Sequence, residues 1–353
     1  MSESCIRFHN ITKVFGAVSV INNLMLDVAS GEFLSLLGPS GSGKTTSLMM
    51  AAGFVQPTSG SIHQSGCRID HLPPYKRDMG VVFQNYALFP HMTVAENLAF
   101  PLRMRKVGRA DIDTQIRSVL DMVQLPSFAD RYPGQLSGGQ QQRIALARAL
   151  IFEPKVVLMD EPLGALDKRL REQMQLDIRE LHHRLGLTIM FVTHDQTEAL
   201  TMSDRIAVFN AGKIEHIGPV LEVYDRPATR FVAGFIGDTN LIEGIVDGSA
   251  GDGSIVKLKE GVSIVVAHRR PLQERVLVSV RPDRLRLTAE RLADNQIKAR
   301  VINRIQHGNH VQFHLDADGL FLTSNIDRRN DVWKIGDEVL ATFAPEECWV
   351  LAG

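Results

Sequence analysis

The sequence predicts an α/β domain with a parallel sheet, followed by a small all-β domain. Three observations carry that expectation. Short apolar runs at 33–37, 156–159 and 188–192 alternate with helical patterns, which favours parallel strands joined by crossover helices. The first of these runs ends at a glycine-rich loop. From about residue 241 the chain changes to short β-type runs split by turns, as in a small barrel or sandwich. A length of 353 residues suits two domains, and the change of character places them at 1–235 and 236–353.

Taken in order, residues 33–37 read as a buried strand and 45–52 as a helix stopped by Gly53. A helical insert covers about 85–149. Thr93 and Glu96 form a capping-box pattern within it, and 111–123 is a second helical stretch. Arg103, Arg105, Lys106 and Arg109 make a short basic run there, expected to be solvated surface. Residues 141–150 form a strong helical pattern. In 168–185, Leu170, Met174, Ile178, Leu181 and Leu185 recur at steps of three or four, so they line one face of an amphipathic helix. His182 and His183 near its end are expected to be exposed or to favour the helix dipole. In the second domain the clearest strand runs are 262–266, 276–280, 297–305, 311–315 and 339–343, with turn signals at 251–253 and 316–319.

Composition removes several classes. Basic residues number 39 and acidic residues 40, whereas a dedicated nucleic-acid binder shows a basic excess; no nucleic-acid partner is expected. Cys5, Cys67 and Cys348 lie far apart, without the paired spacing of a zinc site or a disulfide framework, and read as free thiols in a reducing compartment. Residues 1–11 lack a charged start leading into an apolar stretch, so no signal peptide is expected. No run approaches the roughly 20 apolar residues that span a bilayer. A role in transport would have to come through a membrane partner.

Gly38-Pro39-Ser40-Gly41-Ser42-Gly43-Lys44-Thr45 fits the phosphate-loop pattern between a strand and a helix. Glycines let backbone N–H groups turn inward around phosphates, and the helix start adds about half a positive charge. The expected nucleotide contacts are Gly38, Ser40, Gly41, Gly43, Lys44, Thr45 and Thr46. Lys44 is expected on the β- and γ-phosphates and Thr45 on Mg²⁺. Asp160 and Glu161 end the 156–159 strand, at the sheet edge where ligands bind in such folds. An Asp there can hold the metal shell, and an adjacent Glu can polarise an attacking water. Leu136-Ser137-Gly138-Gly139-Gln140 precedes a helix, so Ser137 and two glycines make a second anion-binding helix start.

That last segment resembles the signature of the ABC ATPase family. In the family it closes over the nucleotide held by the other subunit's phosphate loop. The resemblance implies an α/β P-loop NTPase, an ABC ATPase core with a helical insert, using ATP and Mg²⁺. It implies further roles residue by residue. Phe15 matches the aromatic that stacks on adenine, where Tyr is common. Gln84 matches the glutamine that senses Mg²⁺ and water. His194 matches the switch histidine at the γ-phosphate, and Asp167 the loop that crosses the dimer interface. Gly164 stands where many relatives have Ser, so that hydroxyl is missing here. Ser137, Gly138, Gly139 and Gln140 reach the partner's nucleotide, and Thr45, Gln84 and Asp160 surround the metal. Hydrolysis would use Glu161, His194, Gln84 and Lys44, and would need a homodimer.

Residues 231–243, FVAGFIGDTNLIE, and residues 278–283, containing SVRPD, are similar to the linker and core element of the OB-like (TOBE) regulatory domain of bacterial importer ATPases. The likeness is strongest to the group energising spermidine/putrescine uptake. It implies integral-membrane permease partners, an indirect link to a periplasmic solute-binding protein, and a peripheral place on the cytoplasmic side of the inner membrane. Iron, sulfate, sugar or phosphonate importers, and ABC ATPases of DNA repair or translation, remain as alternatives. One P-loop, no heptads and no cysteine cluster weigh against the repair and translation class.

Overall fold

The computed structural model describes residues 4–258, 261–290 and 295–351. It divides into two compact units, Met1–Val220 and Leu221–Gly353.

The first unit holds two sheets. One is a four-stranded antiparallel sheet of β1 (Ser4–Phe15), β2 (Val18–Ala29), β4 (Ser59–Gln64) and β5 (Cys67–Arg68), in the order β2-β1-β4-β5. The apolar runs of the sequence did not reveal it, because its strands alternate buried and exposed positions, as in Ile6-Arg7-Phe8. The second sheet contains β3 (Phe33–Leu37), β6 (Met79–Val82), β7 (Val156–Asp160), β8 (Thr188–Thr193), β9 (Arg205–Asn210) and β10 (Lys213–Pro219), ordered β10-β9-β3-β8-β7-β6. All pairs are parallel except β9 with β10. Every residue of β3, β7 and β8 is buried. Strands covered on both faces have no polar side to alternate with, so they read as unbroken apolar runs.

Helix α1 (Lys44–Ala52) follows β3. Its last carbonyls are capped by a guanidinium: Arg77 donates to Met50 O at 2.6 Å and Ala51 O at 2.9 Å, and also to Leu72 O and Asp70 O. The insert contains α2 (Val94–Met104), α3 (Arg109–Met122) and α4 (Gly138–Leu150), packed around Leu98, Leu102, Ile116, Leu120 and Ile144. The capping box of Thr93 and Glu96 is formed. Within the basic run, Arg105 is more than surface decoration: its guanidinium lies 3.6 Å from the centroid of the Phe152 ring and bonds Asp78. Helices α5 (Lys168–Leu185) and α6 (Gln196–Met202) complete the unit. His182 corrects the sequence expectation. It is buried, bonds Gly31 O at 3.0 Å and packs edge-on to Phe33.

The second unit opens within α7 (Val220–Asp225), followed by α8 (Arg230–Phe235). Two five-stranded antiparallel sheets follow. The first is ordered β13-β12-β11-β14-β20, with β11 (Asn240–Ala250), β12 (Gly253–Leu258), β13 (Ser263–Val266), β14 (Arg275–Val280) and β20 (Cys348–Leu351). The second is β15-β19-β16-β17-β18, with β15 (Arg286–Thr288), β16 (Asn295–Gln306), β17 (His310–Ala317), β18 (Leu320–Asp327) and β19 (Glu338–Phe343). They share a core that includes Ile242, Val278, Phe313 and Phe343.

The compact units meet at 220/221, not at the expected 235/236. The reason is Arg281, which is buried. Its guanidinium donates to the carbonyls of Tyr224, Ala233, Gly237 and Asp238 at 2.6–3.3 Å, which ties α7 and α8 to the β sheets. Composition along the chain does not reveal such a clamp.

Candidate functional site

The site forms at the C-terminal ends of β3, β7 and β8, where loops leave a parallel sheet. After β3 the chain turns through Gly38–Gly43 into α1. Gly43 is the residue before the helix, with φ 103°. A Cβ there would sit 2.3 Å from Ile21 Cδ1 and 3.0 Å from Val20 O, so both conformation and space require glycine. No side chain caps α1. Its first-turn N–H groups therefore remain available to an outside acceptor. Ser42 Oγ is buried in the same loop without a hydrogen-bond partner.

Lys44 is buried, and its Nζ donates to Gly38 O at 2.8 Å and Pro39 O at 2.9 Å. Burial lowers its pKa, opposed by the nearby Glu161 and Asp160 carboxylates. Thr45 Oγ1 donates to Asp160 Oδ1 at 2.8 Å. Burial raises the Asp160 pKa, against the hydrogen bond from Thr45. An uncapped helix start, a buried ammonium and a hydroxyl–carboxylate pair are the parts a phosphate chain with a hard cation needs.

Glu161 follows β7 with φ 43°, a left-handed backbone that costs a non-glycine residue roughly 1–3 kcal/mol and marks functional turns. Its N–H donates to Val192 O at 3.0 Å, so the turn is fastened to β8. Glu161 Oε2 lies 3.2 Å from Gln84 Nε2 and 3.2 Å from His194 Nδ1. Side chains from two other elements thus converge on one carboxylate oxygen of Glu161.

The other predicted residues form a separate group. Ser137 is the N-cap of α4: Gln140 N donates to its Oγ at 3.4 Å, and Ser137 N donates to Gln140 Oε1 at 2.9 Å. Gly138 is exposed. Gly139 is buried, and a Cβ there would lie 2.6 Å from Leu170 Cδ2, so a larger residue would have to displace that side chain. Asp167 caps α5, accepting from Leu170 N at 3.0 Å. Phe15 is 48% exposed, with Lys13 Nζ 4.5 Å over its ring. Ser40 and Gly41 are exposed in the phosphate loop, and Thr46 is half-buried in the first turn of α1. Among the described residues, no hydrogen bond or ion pair joins Ser137–Gln140, Asp167 or Phe15 to the Glu161 cluster.

Two supporting residues escaped the sequence reading. Arg148 of α4 donates to Tyr86 O at 3.0 Å and Ala87 O at 2.9 Å. Tyr86 and Ala87 both have positive φ, 61° and 48°, so the guanidinium braces the bend that follows Gln84. Glu198 is buried and accepts from Thr193 Oγ1 at 2.5 Å, beside His194. An acidic residue inside an otherwise apolar helix face, four positions after His194, was the available signal for it.

The chain has known relatives. Residues 21–164 match the model of the ABC transporter family, and residues 278–351 match the TOBE domain. A protein of Rubrobacter xylanophilus called spermidine/putrescine import ATP-binding protein PotA is 44% identical, over 99% of this chain and 94% of its own length. The chain belongs to the ABC transporter family. Proteins of the same designation from Thermobifida fusca and Ruegeria pomeroyi are 43% and 47% identical, over 95% and 85% of this chain. Among solved structures of the family, the dimeric ABC transporter cassette MJ0796 is 34% identical, with a TM-score of 0.56 over 61% of this chain and 98% of its own. The same cassette has also been solved in a post-hydrolysis state with ADP and Pi. Among the described residues, no helix is long and apolar enough to cross a membrane.

Proposed function

We propose that this chain is the ATP-hydrolysing subunit of a polyamine importer. The observation that carries the reading is the convergence of Gln84 and His194 on Glu161 Oε2, each at 3.2 Å, beside the uncapped start of α1. Lys44 and the first-turn N–H groups of α1 bind the β- and γ-phosphates. Glu161 accepts a proton from the attacking water or orients it, a role worth about 10²–10⁴ in rate. His194 holds Glu161 and reaches the transferred phosphate. Thr45, Asp160 and Gln84 would hold Mg²⁺, which neutralises charge on the phosphates when bound. Asp160, with its pKa raised by burial, is a carboxyl group whose ionised form gains from a cation.

Each site takes its second half from another copy of the chain: Ser137, Gly138, Gly139 and Gln140, with Asp167 at the seam and Phe15 under the adenine. Dimerisation of the related cassette MJ0796 supports this arrangement. The permease would dock on the insert, where Phe100 and Met104 are 39% and 68% exposed. The complex works on the cytoplasmic side of the inner membrane, with a periplasmic solute-binding protein delivering cargo. Spermidine or putrescine is the cargo, as the relatives' designation indicates.

The test is labelled-spermidine uptake by the reconstituted complex, with wild-type chain and with Glu161→Gln. The variant should bind ATP and dimerise, yet hydrolyse at no more than about a hundredth of the wild-type rate, and uptake should stop. Rapid turnover by Glu161→Gln would remove Glu161 from its role. ATP hydrolysis stimulated by another solute but not by polyamines would redirect the cargo.

A further inference from the structure

Arg171 lies on α5, one turn after Asp167, and its N–H donates to Asp167 O at 2.9 Å. Its guanidinium faces three ways. One N–H donates to Leu166 O at 3.1 Å, the carbonyl directly before Asp167. Another donates to Asp195 Oδ2 at 3.2 Å. The Nε–H is buried without a hydrogen-bond acceptor, with Glu198 Oε1 3.8 Å away.

Those two carboxylates hold both neighbours of His194. Thr193 Oγ1 donates to Glu198 Oε2 at 2.5 Å and accepts from Asp195 N at 3.0 Å. Asp195 Oδ1 accepts from the N–H groups of Thr197 and Glu198, which fixes the start of α6. Thr193 and Asp195 are thus bonded to each other and to α6, and His194 is the residue between them. The other end of the bridge is the turn at Leu166 and Asp167, in which Leu166 is buried and the exposed Asp167 caps α5.

We infer that Arg171 is a positioning residue linking the Leu166–Asp167 turn to His194, so that a shift of that turn moves the His194 contact with Glu161. The inference rests on the proposed function, in which Asp167 meets the second copy and His194 serves hydrolysis. Only a planar fork can hold Leu166 O and Asp195 at once while facing Glu198; an ammonium is a single point of charge. A displacement of Leu166 O drags the guanidinium. The guanidinium in turn pulls on Asp195, and His194 moves along its 3.2 Å approach to Glu161. Assembly of the dimer would thereby be registered at the residue that completes the site.

The test is a double-mutant cycle on the intact chain, reading kcat and KM for ATP and the affinity for MgATP. Arg171→Met keeps the aliphatic stem and removes the fork. It should lower kcat about tenfold or more, with KM and MgATP affinity within about twofold, because Lys44 and Thr45 are untouched. His194→Ala should lower kcat further, and the double variant should be no slower than His194→Ala alone, since both changes remove one interaction. Arg171→Lys should recover less than half of the loss.

An arginine that merely staples α5 to α6 would behave otherwise. The double variant would then lose the product of the two single losses, which overturns the inference while leaving the site reading intact. A kcat for Arg171→Met within twofold of wild type also overturns it. Full turnover by His194→Ala would overturn both the inference and the site reading. Should Arg171→Met fail to bind MgATP, the cycle is run with Arg171→Lys, and the same two outcomes decide.

Discussion

Two glycine-flanked helix starts, those of α1 and α4, are finished in opposite ways. At α1 the cap is Gly43, no side chain closes the end, and a buried lysine stands beside it. At α4 the capping box is complete: Ser137 and Gln140 satisfy each other's N–H groups. Both ends have the partial positive charge of a helix N-terminus. Only the first sets a buried formal positive charge beside its free donors. On the proposed function, the α1 start serves as the primary anion site by leaving its own N–H groups uncapped beside a lysine. A self-capped start is stable alone and can contribute a hydroxyl and one exposed glycine when another surface arrives.

The contrast can be broken at several points. The largest effect belongs to Lys44→Ala, which should weaken nucleotide binding by the monomer about a hundredfold, since charge-assisted bonds contribute roughly 1.5–3 kcal/mol each. Titration with a fluorescent ATP analogue would measure it. A loss under threefold would mean that backbone N–H groups alone carry the affinity. Ser137→Ala comes next. It should leave monomer affinity unchanged, impair ATP-driven dimerisation of the Glu161→Gln protein, and cost about 1 kcal/mol of stability through the lost cap. Equal losses of monomer affinity in both variants would erase the distinction between the two ends.

A smaller effect is set by pH. Burial lowers the Lys44 pKa, so in the window between that value and the ordinary lysine value of about 10.4 the unfolded chain binds more protons than the folded one. Stability of the nucleotide-free protein contributed by this group therefore rises with pH through that window. Affinity for ATP falls over the same range as the ammonium is lost. Thermal melts and binding isotherms recorded as the pH rises toward the ordinary lysine value should move in opposite directions, and Lys44→Met should flatten both trends. The smallest change is expected from Gln140→Ala. In the free chain it removes the acceptor for Ser137 N–H and should lower stability by roughly 0.5–1 kcal/mol, read by chemical denaturation.

Much of this was legible before any coordinates. The strands β3, β7 and β8 are buried on both faces, and such strands announce themselves as apolar runs. The loop at Gly38–Thr45, the acidic pair Asp160–Glu161 and the turn at Ser137 are local in sequence, so their spacing could be read directly. The meeting of Gln84, Glu161 and His194 is not local: 77 positions separate the first two. Only the resemblance to a family placed them together. Arg77, Arg148, Arg171 and Arg281 were invisible for a related reason. Arg77, Arg148 and Arg281 act by donating to carbonyls far away in the chain, and a backbone carbonyl has no sequence; Arg171 acts through the Asp195 carboxylate, which lies on another element. His182 was misjudged because the end of an amphipathic helix looks polar, although this ring turns inward to Gly31.

The clamp made by Arg281 also bears on how such a chain could be cut or recombined. A fragment starting at residue 236 would lose the Tyr224 and Ala233 carbonyls, stranding a buried cation with half its acceptors gone; an unpaired buried charge is among the more damaging defects a fold can carry. A fragment starting at Leu221 would keep them all. Chimaeras that exchange the C-terminal module between relatives should therefore succeed when spliced ahead of α7 and fail when spliced after α8. Evolution, shuffling such modules among importers, would meet the same seam.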